Sequence, residues 1–535
     1  MNIFKPVQFC AALLAASALS PIHAAAQDFG LSAPSKIESE ALGAAQDFDA
    51  GILSDGALDT KLWQGTSAGR AAELLSDAPL KSQDPIIRNI LRTVILSGGV
   101  PPQAASAAET QAYEAARLKA VLAIESRPSG DNSTLDGFLA RNPDLARAPL
   151  AQVDLALSKG DWRRACEISD TITTDRALPE WARLRAACHA LRGETSAADV
   201  TRDLLRSSGY DNPAYHAQMD ALLTGAAPAA ETDPSDALIS FLAKRNDVAL
   251  AGGSPSEPDK TRGSATVFGD FETSDLATLQ SKFGNLSFDI AQADLDLETA
   301  LSDPSPRATG RLFVLGQSGD AAALDGFINR ARRSGLNEDI VLTKLAPMIQ
   351  ALPAQARVNT NLPRYTRAAI LGKDIASLQQ IYSSLPAQSP LQARIALIAD
   401  ALGGGFYGQA LGRDIEGRLN NPVQRAQAVT DTQIALALGA RLSGAAAQVL
   451  GNQSLPALTL PQNQLLLLEA ATADESRAEV SLMTANLLAR PGVNVTDKSY
   501  LIRALVKTGL QPFAGQIAAD IYFEGLDTRP LETDL

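Results

Sequence analysis

The chain has 535 residues, of which 47 are Lys or Arg and 60 are Asp or Glu, so its formal net charge at pH 7 is −13. An acidic surface of this kind disfavours nucleic acids and anionic lipids as general partners. Aromatic residues make up 5% of the sequence and hydrophobic residues 45%, much of the latter alanine and leucine, which favours closely packed helices over sheets. The chain is also too long for one compact hydrophobic core.

The N-terminus has the features of a secretory signal peptide. Lys5 precedes an apolar run from Phe9 to Leu19, and a stretch of small residues ends at Ala26, where a signal peptidase would cut. The run is shorter than the roughly 20 apolar residues that span a bilayer, and no later run reaches that length. The sequence therefore predicts a signal peptide over residues 1–26, export to the periplasm, and a flexible tail over residues 27–35.

A glycine followed by an acidic residue recurs at the turn between two helical stretches. The three turns, each with a small or apolar residue one helical turn later, are Gly160-Asp161 with Ala165, Gly193-Glu194 with Ala198, and Gly319-Asp320 with Leu324. The glycine ends the first helix, the acid lies at the positive N-terminus of the second, and the small side chain permits close packing. Short helices in pairs predict repeated helical hairpins.

The segment from Gly160 to Ala165 resembles the inter-helix turn of a tetratricopeptide repeat, in which a glycine, an acidic residue, an aromatic residue and a tightly packed alanine recur at this spacing. The resemblance covers residues 150–208. Framework positions of the next repeat have counterparts at Trp181, Leu184, Ala197 and Leu204. The resemblance implies an α-solenoid of stacked antiparallel hairpins, a fold that usually binds peptides or proteins on a concave face.

Two cysteines remain in the predicted mature chain, Cys166 and Cys188. An oxidising compartment favours a disulfide between them, and two buried free thiols are the alternative. Because they lie in consecutive predicted helices, a disulfide would tie neighbouring hairpins together. The loop-entropy relation gives such a crosslink about 3 kcal/mol.

Three aromatic residues near these cysteines are candidates for a partner-binding surface: Trp162, Trp181 and Tyr210. Packing between helices is the alternative role for such side chains.

Two stretches interrupt the helical pattern. Residues 225–236 are rich in alanine, proline and acidic residues, and residues 251–265 contain no helix pattern and are the better linker. The sequence therefore predicts two helical-repeat arrays, residues 36–250 and 266–526, and a C-terminal tail over residues 527–535.

The second predicted array contains helices that are complete from cap to cap. Ser389 is a good N-cap, Pro390 suits the first helical position, and Gly403 begins a run of three glycines that ends the helix. Two further apolar stripes, which end before Pro491 and Gly509, predict two more helices, and a facing stripe predicts a last one. Alternating strand-type runs are nearly absent, so the predicted fold class is all-α.

Three short patterns match catalytic or cofactor-binding motifs but lack their structural context. Gly65 to Gly69 fits the G-x-S-x-G nucleophile elbow, yet no strand precedes it and only His189 and His216 remain in the mature chain as a base. Residues 403–408 fit the phosphate-cradling G-x-G-x-x-G pattern, yet a predicted helix precedes them. Glu125-Ser126 pairs like the catalytic residues of some lytic transglycosylases but lacks their downstream glycine-rich motif.

The sequence thus predicts no catalytic, cofactor-binding or metal-binding residues, and three classes of function remain open. The first, and our prediction, is a periplasmic scaffold or adaptor that binds a partner protein of the cell envelope, with an acidic surface that favours basic or neutral partners. The second is a repeat protein that binds cell-wall or other glycan, which would cluster aromatic side chains on one exposed surface. The third is an enzyme with an unrecognised site, which would place a titratable group shifted by burial in a pocket.

Overall fold

The computed structural model describes residues 51–526, with gaps at 54–56, 126–132, 147–148, 174–175, 227–235, 252–266, 269–270, 272–273, 275, 288–295, 388, 405–417, 419–420, 423 and 442–443. The predicted signal peptide, both predicted tails and all but the first residue of the predicted linker lie outside these residues. The described residues belong to one compact unit, Asp47–Leu535.

The described residues confirm the all-α fold class. They form α-helices joined by short connections, and among them no β-strand occurs, only one isolated bridge between Ser67 and Gln103. None of the described helices is both long enough and apolar enough to cross a membrane.

The described residues before 252 form ten α-helices, with a short 3₁₀ helix at Pro143–Ala146 between the fourth and fifth. They are α1 Ala68–Ser76, α2 Pro85–Leu96, α3 Ala107–Glu125, α4 Ser133–Arg141, α5 Pro149–Ser158, α6 Trp162–Thr171, α7 Pro179–Leu191, α8 Thr195–Ser207, α9 Pro213–Thr224 and α10 Ala237–Ala251.

The described helices after residue 270 continue the pattern. They are α11 Leu276–Ser287, α12 Leu297–Ser302, α13 Pro306–Gln317, α14 Ala321–Arg333, α15 Glu338–Lys344, α16 Ala346–Ala351, α17 Ala354–Leu371, α18 Ile375–Ser384, α19 Pro390–Ala401, α20 Arg425–Ala437, α21 Gly444–Gly451, α22 Gln462–Ala473, α23 Arg477–Leu488, α24 Val495–Lys507 and α25 Gln511–Glu524.

The glycine-acid turns predicted from the sequence are turns between helices. Their three glycines have positive φ, a left-handed conformation that ends a helix and that a Cβ would strain: Gly160, Gly193 and Gly319. Asp161 and Asp320 cap the next helix through their side chains, whereas Glu194 makes no side-chain capping bond. The residues one turn later are fully buried, as close packing requires: Ala165, Ala198 and Leu324.

The capped helix predicted at Ser389 is also confirmed. The Ser389 side chain accepts a hydrogen bond from the backbone N–H of Gln392, Pro390 occupies the first turn, and Gly403 follows the helix with a φ of +98°. The stripes before Pro491 and Gly509 form α23 and α24, and the facing stripe forms α25.

Buried apolar side chains of the described residues form three cores. One lies within α5–α10, and a second lies between residues 267 and 368. The third joins α1–α4 and the start of α5 to helices between the end of α17 and α25. Here α1 and α2 pack on α23, and α2 also packs on α25.

Polar contacts support this third core. The backbone N–H of Ala478 donates to the carbonyl oxygen of Leu62 at 2.9 Å, and Asn89 Nδ2 donates to Gln516 Oε1 at 2.7 Å. The first three helices therefore share a core with helices of the predicted second array rather than only with their neighbours in residues 36–250. The division into two arrays at residues 251–265 stays a prediction.

Candidate interaction surfaces

The two cysteines of the predicted mature chain lie on two consecutive helices, α6 and α7. The structure joins Cys166 on α6 to Cys188 on α7 by a disulfide with a Cα–Cα distance of 5.7 Å, and both side chains are buried in the α5–α10 core. The bond therefore connects two helices that belong to neighbouring hairpins.

The three candidate aromatic residues pack against this same core. Trp181 is only 5% exposed and lies in the core, which agrees with the alternative role of packing between helices. Trp162 is half-buried, with the Arg163 guanidinium carbon 5.2 Å from its ring centroid. Tyr210 is also half-buried and meets Tyr215 edge-on at 5.9 Å between ring centroids. These side chains thus serve packing more than partner contact.

An exposed apolar face lies on α8, where the tetratricopeptide resemblance placed a framework residue. Leu204 is 65% exposed, and the neighbouring Leu205 is buried in its place. Val200, one turn earlier, is 61% exposed and shares the face of Leu204. Asp199 and Asp203 run beside them and are largely exposed. The outer side of α8 therefore presents an apolar stripe next to an acidic stripe.

A second exposed apolar face lies on α22. Four consecutive leucines, residues 465–468, are divided between the core and the solvent. Leu465 and Leu468 are buried, whereas Leu466 is 66% and Leu467 48% exposed. Two more exposed leucines, Leu455 and Leu458, lie in the segment before the helix. Sequence reasoning missed this face, although four leucines in a row exceed the stripe that one buried helix side can accept.

A groove of about 340 Å³ separates α22 from α24 beside this face. It is lined by Leu468, Glu469, Thr472, Ala473, Tyr500, Arg503, Ala504 and Lys507. The Tyr500 hydroxyl donates a hydrogen bond to the Glu469 carboxylate, and burial together with that contact raises the pKa of Tyr500. Arg503 and Lys507 are exposed one turn apart on α24, and no carboxylate of the described residues lies within 4.0 Å of either.

Asp497 holds together two segments next to this groove, the residues before α22 and the start of α24. Its side chain is fully buried and accepts from the backbone N–H of Thr459 (2.8 Å), the Thr459 hydroxyl (2.6 Å) and the backbone N–H groups of Asn494 (2.9 Å) and Leu460 (3.3 Å). Burial alone would raise the pKa of this carboxyl, but the hydrogen bonds together hold it below its ordinary value. The aspartate thereby ties the segment before α22 to the start of α24.

Comparison with known proteins gives no further guide. No family model, curated protein or solved structure matches the chain.

The motif-like residues serve structural roles in the described part of the chain. Ser67, in the G-x-S-x-G pattern, accepts from the backbone N–H of Arg70 and is the N-cap of α1. The two histidines have other neighbours, since His189 Nδ1 lies 2.6 Å from Glu194 Oε2 and His216 packs against tyrosine rings. Glycines 405 and 408 lie outside the described residues.

Glu125 is a buried carboxylate with a structural partner. It accepts from Arg92 Nε at 2.7 Å, which joins the end of α3 to α2, and Ser126 lies outside the described residues. No group of three or more His, Cys, Asp or Glu side chains in the described residues is arranged to hold a metal ion.

One carboxyl in the α5–α10 unit is shifted towards neutrality. Burial, with a smaller contribution from nearby Asp236, raises the pKa of Asp154 to about 6. Arg183 forms an ion pair with Asp236 and opposes the shift. Asp154 lines neither the groove between α22 and α24 nor a cavity of about 630 Å³ between α3, the α1–α2 connection and the end of α23. Neither of these two cavities therefore contains the shifted carboxyl, although the groove between α22 and α24 contains Tyr500, whose pKa is raised by burial.

Proposed function

We propose that this protein is an exported helical-repeat scaffold that holds a partner protein in the periplasm. The observation that carries the proposal is the pair of exposed apolar faces, Val200 with Leu204 on α8 and Leu466 with Leu467 on α22. Single exposed leucines are ordinary, but neighbouring ones that together form an exposed apolar patch are typical of surfaces that another protein covers.

The chemistry of these faces favours a protein partner over a glycan. All large apolar side chains that are exposed in the described residues are valine or leucine. Glycan binding would call for exposed aromatic rings, whereas Trp181 is buried and Trp162 and Tyr210 are half-buried.

The packing order supports a repeat scaffold. Consecutive helices contact each other from α5 to α8 and again from α13 to α15, as stacked hairpins would. We include in the proposal that these hairpins form a solenoid, with α1–α3 seated on the last hairpins. The Cys166–Cys188 disulfide suits the oxidising compartment to which the predicted signal peptide would direct the chain.

The test is chemical cross-linking in intact cells, affinity capture of the protein and mass spectrometry of what accompanies it. Two variants remove the apolar faces, Val200→Ser with Leu204→Ser and Leu466→Ser with Leu467→Ser. Control variants change exposed polar residues of the same helices, Ser196→Ala on α8 and Asn463→Ser on α22. We expect one envelope protein at near-stoichiometric yield with the wild type and both controls, and its loss with at least one apolar variant.

Two results would overturn the proposal. One is recovery of the protein alone under conditions that capture a known envelope complex. The other is full recovery of the same partner with both apolar variants, since the exposed faces would then have no part in binding.

A further inference from the structure

The groove between α22 and α24 combines an apolar floor and rim with two cations that form no ion pair with a carboxylate of the described residues. Leu468 and Ala504 lie at its floor, and Leu466 stands on the same face of α22 as Glu469 and Ala473, which line it. Arg503 and Lys507 lie along the opposite wall. The site is therefore amphipathic in cross-section, with apolar contacts on the α22 side and cations on the α24 side.

We infer that this groove binds an acidic amphipathic helix of the partner protein, with leucine-like side chains against Leu466 and the floor and carboxylates against Arg503 and Lys507. The inference rests on the proposed function, because it names the kind of segment that the scaffold holds. A helix laid in an apolar groove is a common mode of recognition, and its apolar positions recur every three or four residues.

Charge complementarity selects an acidic occupant. The groove carries two cations and one carboxylate, Glu469, which is already engaged by the Tyr500 hydroxyl. The whole chain has a net charge of −13, so an acidic segment is repelled by the rest of the surface and attracted here. A basic segment would be repelled in the groove, because its positive charges would face Arg503 and Lys507. The two cations are spaced i and i+4 on α24, which matches two carboxylates one turn apart on a facing helix.

The groove is held in a fixed shape by its supporting residues. Asp497 and Asn494 form a capping box that fixes the start of α24. Lys498 on α24 pairs with Glu524 at the end of α25 at 3.2 Å. A site that is already formed loses less conformational entropy when it binds a helix.

The test uses two synthetic helical peptides with the full-length protein. The first has one leucine stripe flanked by glutamates, and the second carries lysines in place of the glutamates. Fluorescence anisotropy measures their binding to the wild type, to Arg503→Glu with Lys507→Glu, to Leu466→Ser, and to the control Lys61→Glu with Arg441→Glu, which reverses two exposed cations elsewhere.

We expect the glutamate peptide to bind and the lysine peptide not to bind. Reversal of Arg503 and Lys507 should weaken binding of the glutamate peptide about tenfold at low salt, because two exposed ion pairs are replaced by repulsion between like charges. This loss of affinity should become smaller as the salt concentration rises. Leu466→Ser should weaken it at all salt concentrations, and the control should leave it within about twofold. Far-ultraviolet circular dichroism checks that each variant is folded.

The inference is overturned if the glutamate peptide does not bind, if the lysine peptide binds equally well, or if the groove variants bind as the control does. Binding of dextran sulfate without the peptide would identify a site for anionic polymers and would also overturn it. The capture experiment with the α8 variant reads a different surface. If a partner is captured through α8 while the glutamate peptide does not bind, the proposed scaffold function is supported and only the proposed occupant of the groove is refuted.

Discussion

Replacement of Asp497 should weaken the attachment of the segment before α22 to the start of α24 and lower the free energy of unfolding. In Asp497→Ala, the buried backbone N–H of Leu460 loses its acceptor, and the capping bond to the backbone N–H of Asn494 is lost as well. An unsatisfied buried donor costs about 1–3 kcal/mol and a lost cap about 1 kcal/mol, so the expected loss in free energy of unfolding is about 3 kcal/mol.

Two further variants separate the contributions. Asp497→Asn keeps one oxygen for the Thr459 and Leu460 N–H groups but turns an amide N–H₂ towards the Asn494 N–H, so it should cost less than the alanine variant. Thr459→Val removes the hydroxyl, with its bond to Asp497 and its longer contact to the Gly492 carbonyl oxygen, keeps the backbone N–H bonds, and should cost about 1 kcal/mol. Urea unfolding, combined with hydrogen exchange of residues 455–473, measures both the size and the place of the effect.

The pH dependence of this tie follows from the lowered pKa of Asp497. A carboxyl with a depressed pKa in the folded state stabilises the protein above its unfolded value of about 3.9, and that stability is lost as the pH falls through the folded value. Protection of residues 455–473 should therefore be the same at pH 7 and pH 5 and decline only in stronger acid. An alanine variant that unfolds no more easily than Thr459→Val, or that loosens another part of the chain, would refute the reasoning.

Three further predictions concern other parts of the fold. Replacing Cys166 and Cys188 with alanine should destabilise the α5–α10 unit by about 3 kcal/mol, read by hydrogen exchange of α6–α8; peptide mapping without reductant that finds two free thiols would remove the disulfide itself. Asp154 has a raised pKa of about 6, so between about pH 4 and 6 the folded protein binds a proton that the unfolded chain lacks. The free energy of unfolding should therefore fall as the pH rises through this window. Asp154→Asn should flatten this pH dependence, which urea unfolding at several pH values measures. Gly515→Ala would place a Cβ 2.1 Å from the backbone oxygen of Ala401 at the end of α19 and should lower the melting temperature. Gly137→Ala, whose Cβ would have no atom within 4 Å, should raise the melting temperature slightly. The reverse order of melting temperatures would contradict the packing of α25 on α19.

Local features of the fold could be predicted from the sequence because short-range chemistry determines them. Gly160 with Asp161 and Ser389 with Pro390 place helix ends through a left-handed turn, a side-chain cap and a fixed φ, and each of these acts within a few residues. The same reasoning found α23–α25 from their apolar stripes.

The register of a helix within its hairpin was harder to predict. The resemblance to tetratricopeptide repeats assigned a framework role to Leu204, but Leu205 faces the core. One residue corresponds to a rotation of about 100° around a helix, so a small error in register turns a core position into a surface one. That error concealed the apolar face of α8.

The packing of α1–α3 on the last helices had no local signal at all. The contact that joins Leu62 to Ala478 links residues that are far apart in the chain, and helical periodicity shows only that a face is apolar and not which helix will cover it. The α22 face does have a signal in the sequence, namely a run of leucines longer than one buried stripe needs.

Hydroxyl-radical footprinting, which reads the solvent exposure of side chains directly, tests the scaffold proposal at its central point. The measurement compares the protein alone with the complex purified by the capture experiment. Val200, Leu204, Leu466 and Leu467 should be oxidised readily in the free protein, and at least one of the two pairs should be protected in the complex, while Leu205 and Leu468 stay unreactive in both. A complex in which all four exposed side chains remain as reactive as in the free protein would show that the partner binds elsewhere and would contradict the proposal.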